Sequence, residues 1–289
     1  MGMNSSNWLR QAQEQLEATG IGTARLDALV LLEDVTGRDR AWLLANPDAE
    51  IGAAKLAKLT KLLNLRAKHT PLAYVRGMTE FYGRNFVITP AVLEPRPESE
   101  TMIELLKQLS AGGELLSRNS NNGKNHKNGR QVVKIADVGA GSGALGITAK
   151  LEFPKGQKVA VDLLEIDPKA LEIAKINVDK HTTNIRIIES DLLSKSSKDY
   201  DILLCNLPYV PDSHTVNKAA SREPRIAIFG GPDGLDVYRK LFKQVSGLAK
   251  RPLYILTESL PPQHAALQAI AQAHSYKLDK ADDFIQLFC

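Results

Sequence analysis

The residues best able to do chemistry are Asn206-Leu207-Pro208-Tyr209, which follow the apolar run Tyr200-Asp201-Ile202-Leu203-Leu204 and Cys205. Such a run reads as a buried parallel strand, and its carboxyl end is where open α/β sheets place ligands. Asn206 offers an acceptor and donors there. Leu207 precedes a proline, which biases it to an extended backbone that leaves its carbonyl free to point outward. Tyr209 adds a flat aromatic face. Together these groups suit a planar group carrying NH2, such as a carboxamide or the exocyclic amine of a base. A proline-bounded turn after a strand is the plain alternative, and the tetrapeptide alone does not decide between the two.

A second constellation lies upstream. Residues 132–138 form an apolar strand ending in Asp137-Val138, and Gly139-Ala140-Gly141-Ser142-Gly143 follows at once. Glycine has no Cβ and tolerates positive φ, so this loop lets backbone approach a ligand closely. Glu165, at the end of the next strand, stands where a carboxylate accepts hydrogen bonds from ribose hydroxyls, with Asp167 as its competitor. The third glycine comes one residue early for the Gly-x-Gly-x-x-Gly turn that binds a pyrophosphate, which favours a nucleoside without a diphosphate. S-adenosylmethionine is such a nucleoside. Asp191, at another strand end, either contacts the adenine region or caps a turn. Asp137 either orders the loop through backbone N–H groups or touches the amino group of the cofactor. The six histidines and two cysteines show no metal-ligand spacing, and no nucleophile triad is evident.

These loops need a scaffold, and the chain supplies two patterns for one. From Asn4 to His69 the apolar residues recur at helical spacing, with Gly20, Gly37, Pro47 and Pro71 as stops, which predicts a small helical bundle. Residues 78–89 read as a β-hairpin turning at Gly83-Arg84-Asn85. From Pro97 a helix carries Met102, Leu105, Leu106 and Leu109, and after residue 131 strands alternate with helices as far as residue 288. That alternation predicts an α/β fold with a doubly wound, mostly parallel sheet and right-handed crossovers. The expected division is a helical domain over residues 1–75, a hairpin linker over 76–96 and a catalytic domain over 97–289. An Asn/Gly/Ser-rich insertion near residues 117–130 is expected to be a flexible surface loop.

Composition narrows the classes. With 43% hydrophobic and 24% charged residues and a net charge of +4, the chain has globular values and no concentrated basic stripe, so direct nucleic-acid binding is not expected. No apolar run is long enough to span a bilayer, and no secretory signal or disulfide framework is seen, which fits a cytoplasmic protein.

Several segments now carry a resemblance. Asp137-Val-Gly-Ala-Gly-Ser-Gly-Ala-Leu-Gly146, Glu165-Ile-Asp-Pro168 and Asn206-Leu-Pro-Tyr209 are similar to the motifs of class I S-adenosylmethionine-dependent methyltransferases. The helical amino-terminal region, Gly77 to Phe86, Arg96-Pro-Glu-Ser-Glu100 and the segment from Arg222 to Asp236 more narrowly resemble the glutamine methyltransferases of peptide chain release factors. The resemblance implies a Rossmann-like seven-stranded sheet and methylation of the glutamine side chain in the Gly-Gly-Gln motif of class 1 release factors. It implies that Gly139, Ala140, Gly141, Ser142 and Gly143, with Asp137, hold the methionine part of S-adenosylmethionine. Glu165 would hold the ribose, and Asp191 with Leu192 the adenine. Asn206, Leu207, Pro208 and Tyr209 would bind and orient the substrate amide, Asn206 bordering the cofactor as well, and Arg96 would contact the substrate.

The expected partner is a release factor, with the enzyme acting as a monomer and without a membrane. Leu207 departs from the family, which usually has proline there, and Glu94 replaces an aliphatic residue. Asn-Leu-Pro-Tyr is also the form resembling ribosomal RNA adenine dimethyltransferases, so a nucleic-acid adenine methyltransferase is the runner-up, and a cofactor-binding module without catalysis is the third reading. Against the runner-up, those enzymes place their helical domain after the catalytic domain, and they lack a counterpart of Glu223-Pro224-Arg225.

Overall fold

A computed structural model describes residues 3–111, 132–196 and 199–289. The expected insertion over residues 117–130 lies outside the described residues. Contacts divide the chain into two compact units, Met1–Met78 with Val216–Arg222, and Thr79–Thr215 with Glu223–Cys289.

The first unit is helical. α1 (Ser5–Ala18) is capped by Asn4, whose side chain accepts from the Asn7 N–H at 3.0 Å, and α2 (Ala24–Thr36) stops at Gly37 in the left-handed conformation. α3 (Arg40–Ala45) and α4 (Ala53–Ala67) follow, then α5 (Leu72–Arg76), a short helix that periodicity did not reveal. Five residues are too few to show a helical repeat. Trp8, Leu16, Ala28, Leu31, Leu32 and Leu59 form the core of this unit. Beside them a buried pair, Arg66 to Asp27 at 2.6 Å, is completed by an Arg66 hydrogen bond to the Thr70 carbonyl.

The hairpin of β1 (Met78–Phe81) and β2 (Arg84–Val87) belongs to the second unit from Thr79 onward. Its turn is Tyr82-Gly83, both at positive φ, so Arg84 and Asn85 belong to the strand and not to the turn expected for them. Phe81 and Phe86 pack edge to face, 6.3 Å apart, within the sheet core. A 3-10 turn (Pro97–Ser99) leads into α6 (Glu100–Ala111).

The sheet contains β3 (Val132–Val138), β4 (Lys158–Glu165), β5 (Arg186–Glu189), β6 (Ile202–Cys205), β7 (Tyr254–Glu258), β8 (Leu278–Asp282) and β9 (Ile285–Phe288). Its order is β5-β4-β3-β6-β7-β9-β8. β9 runs antiparallel to β7 and β8, and the other pairs are parallel. Successive strand residues point to opposite faces, so Ile135, Leu163 and Leu204 join one core layer while Ala136, Leu164 and Leu203 join the other. Burial on both faces is why these strands read as continuous apolar runs. The chain moves outward from β3 to β5 and then returns to lay β6 beside β3, pairing Asp137 with Leu204. That reversal creates a switch point, and the glycine loop and Asn206 both leave the sheet at its carboxyl edge.

Candidate active site

A cavity of about 290 Å3 opens at this edge. On one side lie Asp137, Gly139 to Ser142, Glu165, Asp191 and Leu192; on the other lie Ser99, Asn206, Leu207 and Pro208. Two loops read separately in the sequence thus face one space.

The glycine side is built largely from backbone. Gly139, Gly141 and Gly143 have φ of 73°, 54° and 78°, values that L side chains rarely adopt. The Gly139 and Ala140 N–H groups donate to the Leu164 carbonyl at 2.8 and 3.1 Å, which anchors the loop to β4. Gly143 is not in the cavity wall; it starts the helix Ala144–Glu152. Asn177, fully buried, clasps the loop from behind by donating to the Ser142 and Val87 carbonyls, each at 2.9 Å.

Two carboxylates close this side. Asp137 accepts from the Gly146 N–H at 2.7 Å, the loop-ordering alternative of the sequence reading. Burial pushes its carboxyl up to about 7 despite that hydrogen bond. Glu165 accepts from Gly141 N–H at 2.8 Å through one oxygen and from Ile166 and Asp167 N–H at 2.7 and 2.9 Å through the other. Each carboxylate oxygen has two acceptor sites, so one site, on the oxygen that faces Gly141, remains for a ribose hydroxyl. Asp167 caps the helix Pro168–Lys180, and the Asp191 carboxylate accepts from Lys240.

The opposite side is built from side chains. Asn206 Nδ2 donates to Ser99 Oγ at 2.8 Å, and Ser99 donates to Glu258 Oε2 at 2.6 Å. Tyr209 is outside the cavity wall, its hydroxyl donating to Glu258 Oε1 at 3.0 Å. Burial raises the pKa of the Tyr209 phenol, with the Glu258 charge adding to the shift, so it stays protonated and donates. Glu258 itself is 1% exposed; burial raises its pKa, while hydrogen bonds from Ser99, Tyr209 and Asn206 oppose the rise. Behind them the Tyr238 hydroxyl donates to the Glu258 carbonyl at 2.6 Å and accepts from the Leu207 N–H at 3.4 Å. A proline at position 207 would have no N–H to give.

The segment that follows Glu223-Pro224-Arg225 forms a wall. Ile226, Ala227 and Phe229 line the cavity, and Val210 exchanges backbone hydrogen bonds with Ile228 and Gly230 at 2.9 and 3.0 Å. A Cβ on Gly230 would sit 2.3 Å from the Pro208 carbonyl, so only glycine allows this approach. Arg96 is outside the cavity wall; its guanidinium pairs with the buried Glu223 at 2.5 Å and with Glu94 at 3.7 Å. Glu94 also accepts from the Thr79 hydroxyl at 3.1 Å, which gives its charge two partners.

Ser99, Tyr238 and Glu258 were missed in the sequence. Glu258 alone had a signal, the polar triplet Thr257-Glu258-Ser259, which reads as the end of the apolar strand Tyr254-Ile255-Leu256. Instead β7 continues through Glu258 and all three residues are buried.

Among the described residues no cluster of histidine, cysteine, aspartate and glutamate is placed to hold a metal ion, and no helix is long and apolar enough to cross a membrane. A nucleoside-sized cavity at the switch point of this sheet defines a class I methyltransferase, and the sequence profile described as "Methyltransferase small domain" matches residues 107–223. The catalytic domain of human Mettl16 has the same fold with TM-score 0.52, at 13% identity over 87% of this chain and 91% of that one. The chain belongs, more narrowly, to the release factor glutamine methyltransferase family. The profile described as "PrmC N-terminal domain" matches residues 7–77. The release factor glutamine methyltransferase of Koribacter versatilis is 34% identical over 81% of this chain and 78% of its own length. That of Coxiella burnetii is 31% identical over 88% and 86%. The bifunctional methyltransferase of Rickettsia bellii is 30% identical over 99% of this chain, which spans about half (54%) of that protein's length.

Proposed function

We propose that this methyltransferase moves the methyl group of S-adenosylmethionine to the side-chain amide nitrogen of the glutamine in the Gly-Gly-Gln motif of class 1 translation release factors. The observation that carries the reading is the hydrogen bond from Asn206 Nδ2 to Ser99, which turns the amino end of Asn206 to the protein and leaves its carbonyl oxygen to accept an incoming amide. The names of the Koribacter and Coxiella relatives support the same substrate.

The residues present fit the cofactor. A Cβ at Gly141 would meet nothing within 4 Å, so the loop is open at its centre. Asp137 and Glu165 bring two carboxylates to the same cavity, suited to a ligand with an ammonium, a sulfonium and a ribose diol. Gly139 to Ser142 with Asp137 would hold the methionine part, Glu165 the ribose, and Asp191 and Leu192 the adenine. When bound, S-adenosylmethionine supplies an electrophilic methyl on a positively charged sulfur.

The protein's task is orientation. An amide nitrogen is a poor nucleophile because its lone pair is delocalised into the carbonyl. In this reading Asn206 Oδ1 and the Leu207 carbonyl accept the two N–H protons of the glutamine amide and set the face of the nitrogen. The same acceptors stabilise positive charge as it develops there. Pro208 bounds the amide plane, Tyr209 acts through Glu258, and Arg96 shapes the entrance through Glu223. The helical unit recognises the release factor.

The test is incubation of the protein with a class 1 release factor and methyl-labelled S-adenosylmethionine, followed by peptide mass spectrometry. Label on the Gly-Gly-Gln glutamine supports the reading. Label on RNA or DNA, with that glutamine unmodified, overturns it in favour of an adenine methyltransferase.

A further inference from the structure

The buried carboxylate of Glu258 lies outside the cavity wall, yet it sits at the root of the hydrogen-bond chain that ends on Asn206. An ionised carboxylate only accepts hydrogen bonds. Ser99, 3% exposed, has a single hydroxyl proton and gives it to Glu258 Oε2 at 2.6 Å. Its oxygen is then an acceptor toward Asn206, and the partner 2.8 Å away has to be Nδ2. Tyr209 fills the other oxygen of Glu258 at 3.0 Å, so the carboxylate is held on both sides.

We infer that Glu258 is a positioning residue that sets the polarity of Asn206, compelling it to present its carbonyl oxygen to the substrate. The inference rests on the proposed role of Asn206 as the amide acceptor. If Glu258 is removed, the Ser99 hydroxyl proton loses its acceptor. Donation to Asn206 Oδ1 becomes its best use, and the Asn206 amide turns over. The NH2 group then faces the NH2 of the glutamine, donor against donor, and the substrate nitrogen is no longer held.

A structural role alone predicts a different result, because Glu258→Met leaves the Ser99 and Tyr209 hydroxyls without their acceptor and would lower unfolding stability while the folded enzyme keeps its kcat. Glu258→Met therefore separates the two. The experiment measures kcat and KM for a class 1 release factor, and S-adenosylhomocysteine affinity by calorimetry, on the full chain. Glu258→Met is expected to lower kcat on the order of a hundredfold, the effect of a misplaced reacting group, with cofactor affinity within about twofold of the parent. The double variant Glu258→Met, Ser99→Ala is expected to be no slower than Glu258→Met, since it deletes the proton that pulls Asn206 the wrong way.

Asn206→Ala serves as the reference. If Asn206→Ala is inactive while Glu258→Met keeps the parent kcat, or if the losses of Glu258→Met and Ser99→Ala multiply in the double variant, the inference is overturned and the role of Asn206 stands. If Asn206→Ala turns over at the parent rate, the proposed amide acceptor is wrong and the inference falls with it. Should Glu258→Met not fold, Glu258→Met with Tyr209→Phe, read against Tyr209→Phe alone, removes the carboxylate together with the hydroxyl that its loss would leave unpaired. An unchanged kcat in that comparison overturns the inference, and loss of kcat with cofactor affinity retained supports it.

Discussion

The two sides of the cavity solve the same problem, fixing polar groups at the edge of a sheet, in different materials. The glycine side uses backbone: N–H groups of residues 139–141, 146, 166 and 167 anchor the loop or hold its carboxylates. The Asn206 side uses side chains from three separate segments, Ser99, Asn206 with Tyr209, and Glu258. A backbone cradle is fixed by the strand and helix it joins and tolerates changes in neighbouring side chains. A side-chain chain of donors and acceptors has a direction, and one changed member can reverse it. The first construction suits holding a ligand, and the second suits choosing which group a substrate meets.

The comparison is tested most severely by Asn206→Ala. It is expected to lower methyl transfer on the order of 10²- to 10³-fold while cofactor affinity stays within about twofold. Parallel loss of both would show that the two sides are one functional unit.

Next in size is a pH effect on the glycine side. Asp137 has its carboxyl raised from 3.8 to about 7 by burial, so the folded protein binds a proton that the unfolded chain has released between these values. The stability of the cofactor-free protein is therefore expected to fall as pH rises from about 4 to about 7, by at most about 1.4 kcal/mol per unit. Asp137→Asn should flatten that profile in chemical denaturation. S-adenosylmethionine affinity should rise over the same range in the parent, since the ionised carboxylate is the form that a cation prefers.

Gly230→Ala probes the wall behind Pro208. The added Cβ meets backbone at 2.3 and 2.4 Å, and carbonyls of Pro208 and Gly234 cannot swing aside as a side chain would. A loss of roughly 1–3 kcal/mol in thermal unfolding is expected, with kcat reduced more than cofactor affinity. The smallest effect belongs to Lys240→Ala, which breaks a half-exposed pair with Asp191 and should cost less than about 1 kcal/mol in cofactor affinity.

Much of the first construction was visible before any fold was known. Asp137, Gly139 to Gly143 and Glu165 lie within one strand-loop-helix-strand unit, so their spacing in sequence reports their spacing in space. Asn206 was legible for a similar reason, as a polar residue at the end of an apolar strand. Its surroundings were not. Ser99 and Glu258 are 159 residues apart, Asn206 and Ser99 are 107 apart, and Arg96 meets Glu223 across 127. Read alone, Arg96 was free to face a substrate; in the fold Glu223 claims it. Gly143 likewise looked like part of the ligand loop and proves to be the start of a helix, since a repeat of glycines does not say which of them faces outward.

The sequence by itself determined the alternation of strands and helices, the class of sheet and the two motifs at its edge, because each is written in local periodicity and in residues bound to special backbone geometry. Only the tertiary structure decided which way Asn206 points. That orientation depends on a hydroxyl and a carboxylate brought beside it by strand order, and the direction of a hydrogen bond is a property of the assembled pair.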